Sequence, residues 1–179
     1  MATVHGLPIR RVAGLRFYAP AGRYSTGATD NLGLGFWTQQ IQLAGEYFFD
    51  AGRTFSIVGV QTWEFNSRVR DTNIRPGSRL SFNRAIDKIW FDGMLETAVV
   101  GYDQWQIAED TGSDQLAIVR GALDEVHAAG VQLGIPKYGL SLKYLHEFAA
   151  RARFQGQMVT ITFALPLDKL FEQLVGLAS

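Results

Sequence analysis

A chain of 179 residues is long enough for one sizeable core or one closed barrel, and 17 Lys+Arg are matched by 17 Asp+Glu. Zero net charge argues against a nucleic-acid binder, which carries a basic excess. The lack of cysteine excludes a disulfide framework and thiolate metal or redox chemistry, while 19 Gly, 12 Phe, 6 Tyr and 4 Trp suit a β-rich chain with many turns.

Eight strands are predicted. The first is Ile9–Tyr18, closed by the turn-rich Ala19–Gly22. The second, Phe36–Phe49, sets Trp37, Ile41, Leu43 and Tyr47 against Thr38, Gln40, Gln42 and Glu46. The third, Thr54–Phe65, sets Phe55, Ile57, Trp63 and Phe65 against Thr54, Ser56, Thr62 and Glu64. Val58 and Val60 break its alternation, which predicts either a bulge or a partly apolar inner face. The fourth, Arg79–Phe91, carries Leu80, Phe82, Ile86 and Trp90 on one parity. The fifth, Met94–Ile107, opposes Leu95, Val99, Trp105 and Ile107 to Glu96, Tyr102, Gln104 and Gln106. Glu125–Ile135, Lys137–Ala150 and Arg153–Leu165 complete the set. The clearest signal lies in the seventh. There Tyr138, Leu140, Leu142, Tyr144, His146 and Phe148 alternate with Gly139, Ser141, Lys143, Leu145 and Glu147. Period-two alternation over this length is a half-buried strand, with the dimensions of an outer-membrane barrel strand.

Short turns at Asp50–Gly52, Asp92–Gly93, Pro136 and 150–154 alternate with long polar loops at 25–35, 66–78 and 109–124. Strands of 10–14 residues joined this way form an up-and-down meander, longer than the ~5–6 residues usual in soluble sheets. The expected fold is therefore all-β: an antiparallel up-and-down β-barrel of about eight strands with a short C-terminal helix. It is one domain over 1–179, with strands over 9–165 and a helical tail over 166–179. In that tail Leu170, Phe171, Leu174 and Val175 share a face. Leu116–Asp124 is read as loop. No window of ~18 apolar residues predicts a transmembrane helix. The start lacks the charged and apolar regions of a signal peptide, so the chain is expected to be cytoplasmic, or a mature or truncated form of an exported protein.

Motifs resemble one family. Phe17–Tyr24 (FYAPAGRY) followed by Asn31–Thr38 (NLGLGFWT) is similar to the turn and strand entry of the outer-membrane family named for the meta-pathway of phenol degradation. Further matches fall in order: Trp63–Asn66; Thr72 with Pro76–Ser78; Gly101, Tyr102, Gln106 and Asp110–Gly112; Ala129–Gln132; and Leu142–Tyr144 with Glu147, Arg151 and Gly156. The family's loop tyrosine is missing, and Val131 replaces a proline. The matches cover most of 15–165 and follow the C-terminal part of the family pattern. The resemblance implies an outer-membrane barrel that passes or binds hydrophobic, often aromatic, compounds, with the bilayer and a small hydrophobic molecule as partners. It implies no enzymatic step. The oligomeric state is not legible.

No zinc-protease, Walker, nucleophile-elbow or dinucleotide motif occurs, so no cofactor, catalytic or metal site is predicted. Gly33–Gly35 is a loop entering a strand, and His5, His127 and His146 are scattered. Asp110–Asp114 spaces oxygens as calcium loops do but lacks a closing glutamate, so it is read as a solvated turn. Glu46, Glu64, Glu96, Gln104, Lys143 and Glu147 fall on polar parities. With the apolar parity in lipid they line the lumen, as an internal ionic and hydrogen-bond network or as ligand contacts. Trp37, Tyr47, Trp63, Trp90, Trp105, Tyr138 and Tyr144 are expected near strand ends, as interface aromatics. The alternative is a soluble lipocalin-like barrel binding an apolar ligand inside, with parities reversed. An enzyme on a β-sandwich is a third reading, for which no constellation stands out.

Overall fold

The computed structural model describes residues 3–4, 7–25, 30–114 and 121–164. The chain forms one antiparallel sheet in strict sequence order. β1 (Thr3–Val4) folds back on β2 (Leu7–Tyr18). β3 (Thr38–Phe48), β4 (Phe55–Asn66), β5 (Arg79–Trp90), β6 (Leu95–Gln106), β7 (Glu125–Ile135), β8 (Leu140–Arg151) and β9 (Gln157–Phe163) follow, each paired with its predecessor. The eight predicted strands are thus β2–β9, with ends differing by a few residues. The differences have local causes. Pro136, which cannot donate to a ladder, opens a 3-10 turn over Pro136–Tyr138 that closes on left-handed Gly139, so Tyr138 lies in the turn and not in the strand. Left-handed Ala152 starts the turn between β8 and β9, so β9 begins at Gln157.

Val58 and Val60 cause no bulge: β4 pairs with β3 and β5 in unbroken register, and the one irregularity lies between His127 and Ala128. The second alternative holds, a partly apolar inner face. Among the described residues no helix is long and apolar enough to cross a membrane, which says nothing of crossing by strands. The predicted helical tail and most of the Leu116–Asp124 loop lie outside the described residues.

Among the described residues no second layer covers this sheet, yet Val126, Ala128 and Ser56 are fully buried on one face. The sheet must therefore curl on itself. Val58 of β4 and Leu145 of β8 line one cavity, although four strand steps in a flat sheet would separate them by ~19 Å. The curl stops short of closure. Among the described residues no ladder joins β9 to β1 or β2, which corrects the expectation of a closed barrel. Seven-residue β9 is shorter than the 12-residue β2 it would have to meet, and closure also needs matched tilt and stagger.

The turns are held by side chains. Asp50 accepts the amides of Thr54 (2.9 Å) and Phe55 (2.8 Å) on Oδ1 and the Thr54 hydroxyl (2.9 Å) on Oδ2. Desolvation raises the Asp50 carboxyl, but the Phe55 and Thr54 amides, the Thr54 hydroxyl and the Lys88 ammonium outweigh it and hold the group below its ordinary value. A depressed carboxyl stabilises the fold above the unfolded value of about 3.9, and that stability is lost as pH falls through the folded value. Asp50→Asn should lower the urea midpoint at neutral pH, and the gap from wild type should close as pH falls below about 4. A gap that persists in acid would mean that the carboxylate charge contributes nothing.

Candidate functional site: the concave face and its outward seam

Strand parity divides the side chains between two faces, and register lines them up in transverse rows. On the concave face the loop-side rows are polar. Gln40 donates to Glu64, Gln42 to Thr62 Oγ1 at 3.2 Å, and Gln104 to Ser81 Oγ at 3.4 Å, while Arg153 donates to Gln104 at 2.7 Å. The turn-side rows are polar too. The Ser56 hydroxyl lies 2.8 Å from Asp87 and 3.1 Å from Glu46, and Gln132 donates to Glu96 at 3.0 Å. Between them lies a waist whose apolar side chains are Ala44, Val58, Val60, Ala85, Val100, Ala128 and Leu145. Register aligns Glu46, Val58, Ala85, Val100, Gly130 and Leu145 in one row and Ala44, Val60, Asn83, Tyr102, Ala128 and Glu147 in the next.

All six predicted lumen residues lie half-buried on this concave face. Five are held. Glu46, Glu64, Glu96 and Gln104 take part in the bonds just given. Glu147 accepts the Tyr102 hydroxyl and, at 2.7 Å, the Gly156 amide. Lys143 differs: it borders the waist and has no hydrogen bond or ion pair among the described residues. Arg151, on the other face, pairs with Glu125 at 3.0 Å.

The motif residues that carried the resemblance converge in space. At the loop end buried Asn66 donates to Gly77 O at 3.0 Å, and Gly77 N and Gln106 Nε2 both reach Asp110 Oδ1, at 2.7 and 2.8 Å. A Cβ on Gly77 would stand 1.9 Å from the Ala108 carbonyl, so this approach needs glycine. Asp114 accepts the Asn73 amide at 2.7 Å and the Ser113 hydroxyl at 2.9 Å. Those bonds, in that order, and the charge of Arg68 hold its carboxyl low against an opposing desolvation. The Asp110–Asp114 oxygens are thus engaged in stapling two loops, where a freely solvated turn was expected. Among the described residues no group of three or more His, Cys, Asp or Glu is placed to hold a metal.

The predicted aromatics lie on or beside the outward face. Trp63 and Trp105 flank Leu80 near the loop end, and Trp37 enters β3 there. At the turn end Tyr47 packs edge-on against Phe49 at 5.2 Å, Trp90 donates to Thr97 at 2.9 Å, and Tyr138 sits in its turn. Tyr144 does not lie at a strand end. It is aligned with Val131 and Val159 inside β8, because that strand begins only at Leu140.

One outward feature escaped the sequence reading. Register aligns Arg11, Gly45, Gly59, Arg84, Gly101, Ala129 and His146 in a mid-strand row, small or polar throughout. Beside it Asp103 pairs with Arg84 and lies 2.8 Å from His127 Nδ1. His127 contacts Trp105 edge-on at 5.7 Å and stacks on Phe148 at 6.3 Å. Arg84, Asp103 and His127 come from three strands, so only register brings them together; Arg84 interrupting Leu80, Phe82 and Ile86 was the one local signal. Removing one member of such a pair strands the other charge. Asp103→Asn should therefore destabilise by about 1–3 kcal/mol, and Arg84→Met with Asp103→Leu should recover most of that in urea unfolding. Additive losses in the double variant would rule out a coupled pair.

Comparison with curated proteins and with solved structures finds no match. The family described as "Putative MetA-pathway of phenol degradation" matches residues 12–163, from within β2 to the end of β9, and the chain belongs to that family.

Proposed function

We propose that this chain is an outer-membrane β-barrel protein, a channel or scaffold through which hydrophobic or aromatic small molecules are taken up, and that it is not an enzyme. The observation that carries the reading is the inversion of polarity between the faces. Outward Val99 and Ile161 are 64% and 72% exposed, whereas inward Ser56 and Gln106 are 0% and 8% exposed. Water would select the reverse, because apolar surface left wet forfeits ~25 cal/mol per Å². A bilayer selects what is seen: an apolar band outside, polar groups turned within and most of them paired there, and aromatics toward both ends. The soluble lipocalin-like alternative needs apolar side chains facing in and polar ones facing out. Only the waist meets the first requirement, and the row Tyr47, Ile57, Ile86, Val99, Val131, Tyr144 and Val159 runs against the second. The waist gives hydrophobic molecules an apolar surface between two wet belts, as passage or reversible binding requires.

Two exposed apolar positions separate the solvents. Val99 lies within β6, whereas Leu34, 70% exposed, lies in a loop. Val99→Arg should cost about 2–4 kcal/mol toward the bilayer midplane when folding into lipid vesicles is titrated, and Leu34→Arg should be tolerated. Equal tolerance of both, with the protein staying in solution without detergent, would turn the reading to the soluble alternative.

A further inference from the structure

We propose that the waist is a binding site for small organic anions, each with an apolar body about the size of one aromatic ring, and that Lys143 holds the anionic group. The proposal rests on the reading above that the concave face receives small hydrophobic molecules, and adds their charge and size.

Size comes from the cavity. It measures about 190 Å³, with Val58, Val60, Val100 and Leu145 among its walls. A cavity of about 150 Å³ lined by aliphatic side chains holds benzene, so this one has room for one ring. Charge comes from the pairing pattern. Glu46, Glu64, Arg79, Asp87, Glu96 and Glu147 are half-buried inward charges, and each has a hydrogen-bond or ion-pair partner. Lys143 lines the same cavity and has none among the described residues. A half-enclosed ammonium without a partner is an unfavourable state that a carboxylate relieves by charge-assisted hydrogen bonds.

Neighbouring groups leave that position open. Gln132, beside Lys143 in register, gives its amide to Glu96, and Tyr102 gives its hydroxyl to Glu147. Neither carboxylate pairs with the lysine. Asn83 also lines the cavity and has no side-chain partner among the described residues, so its amide is a second donor there. A ring against the valines would turn its carboxylate toward Lys143, with the Asn83 amide a further donor in the same cavity. It would also leave the polar belts as they stand.

The test uses the full chain folded in detergent, so that binding is read apart from membrane insertion. The probes are fluorobenzoate, its neutral isostere fluorobenzyl alcohol, and fluoroacetate, followed by fluorine NMR. Fluorobenzoate should bind and fluoroacetate should not. Lys143→Met should weaken fluorobenzoate at least about tenfold, which is about 1.4 kcal/mol, and leave the alcohol unchanged. Lys143→Arg should restore most of the affinity, and circular dichroism should report the same β-content for each variant. Fluorobenzoate that fails to bind the wild type, or binds Lys143→Met as well, overturns the site. So does an alcohol that loses as much as the acid, or fluoroacetate that binds as tightly as fluorobenzoate. Failure of the protein to enter vesicles, with fluorobenzoate binding intact, would instead overturn the membrane reading and leave the site standing.

Discussion

A sheet that no second layer covers among the described residues places its side chains by parity. Each residue of β2 to β9 faces one of two environments, and its neighbour faces the other. Register then extends the choice across eight strands, because a slip by one residue would exchange the faces along a whole strand. The ladders prevent this: β3 through β6 pair over 10 to 12 residues each without a shift. Curling follows from the same constraint. Among the described residues the concave face has no partner layer, so there its side chains shelter one another. The polar belts form there because groups such as Ser56, Asp87 and Glu46 are close enough to satisfy each other.

The loop end shows what fixes the wall's rim. Asn66 closes β4, Gln106 closes β6, and both turn their amides into the connecting loops, toward Gly77 and Asp110. Buried amides need partners, and the loops supply them, so loop conformation and strand ends specify each other. The turn end is built differently. Asp50 orders its own turn, left-handed Asp92 lies inside the 3-10 turn Phe91–Gly93, and left-handed Gly139 closes the one at Pro136–Tyr138. Short self-contained turns on one side and long interlocked loops on the other leave only the loop side able to carry variable length.

Much of this was legible because a period of two is a local signal. Tyr138–Phe148 announced a strand with two faces, and Trp37, Ile41 and Leu43 did the same for the second. The boundaries were less legible where turn chemistry competed with alternation, as at Tyr138, whose side chain fits the strand pattern while Pro136 commits its backbone to a turn. Closure was not legible, because whether β9 meets β2 depends on tilt and stagger summed over the whole sheet. The Arg84, Asp103 and His127 cluster could not be read either. Its members are 19 and 24 residues apart in pairs and meet through two ladders. In the sequence Asp103 was one charge among many and His127 one scattered histidine. The six concave-face residues were found by parity, but nothing in the chain distinguished Lys143 from the other five. That distinction lies in which partner each side chain reaches.

At mid-strand the two faces exchange character. Val58, Val60, Ala85, Val100 and Leu145 make the inside apolar, while Gly59, Arg84, Gly101 and His146 make the outside small or polar at the same level. A register error does not produce this, since β4 pairs with β3 and β5 without a shift through it. It is written into adjacent positions, as in Val58-Gly59-Val60 and Val100-Gly101. Glycine outside does two things there. It takes little apolar area from the outward band, and it lets the neighbouring Arg84 lie along the wall toward Asp103 instead of standing away from it. The charges of the seam then compensate one another sideways, within the face, and the valines behind them need no polar partner. The irregularity that first appeared as a broken alternation at Val58 and Val60 is therefore the same feature as the waist, seen one strand at a time.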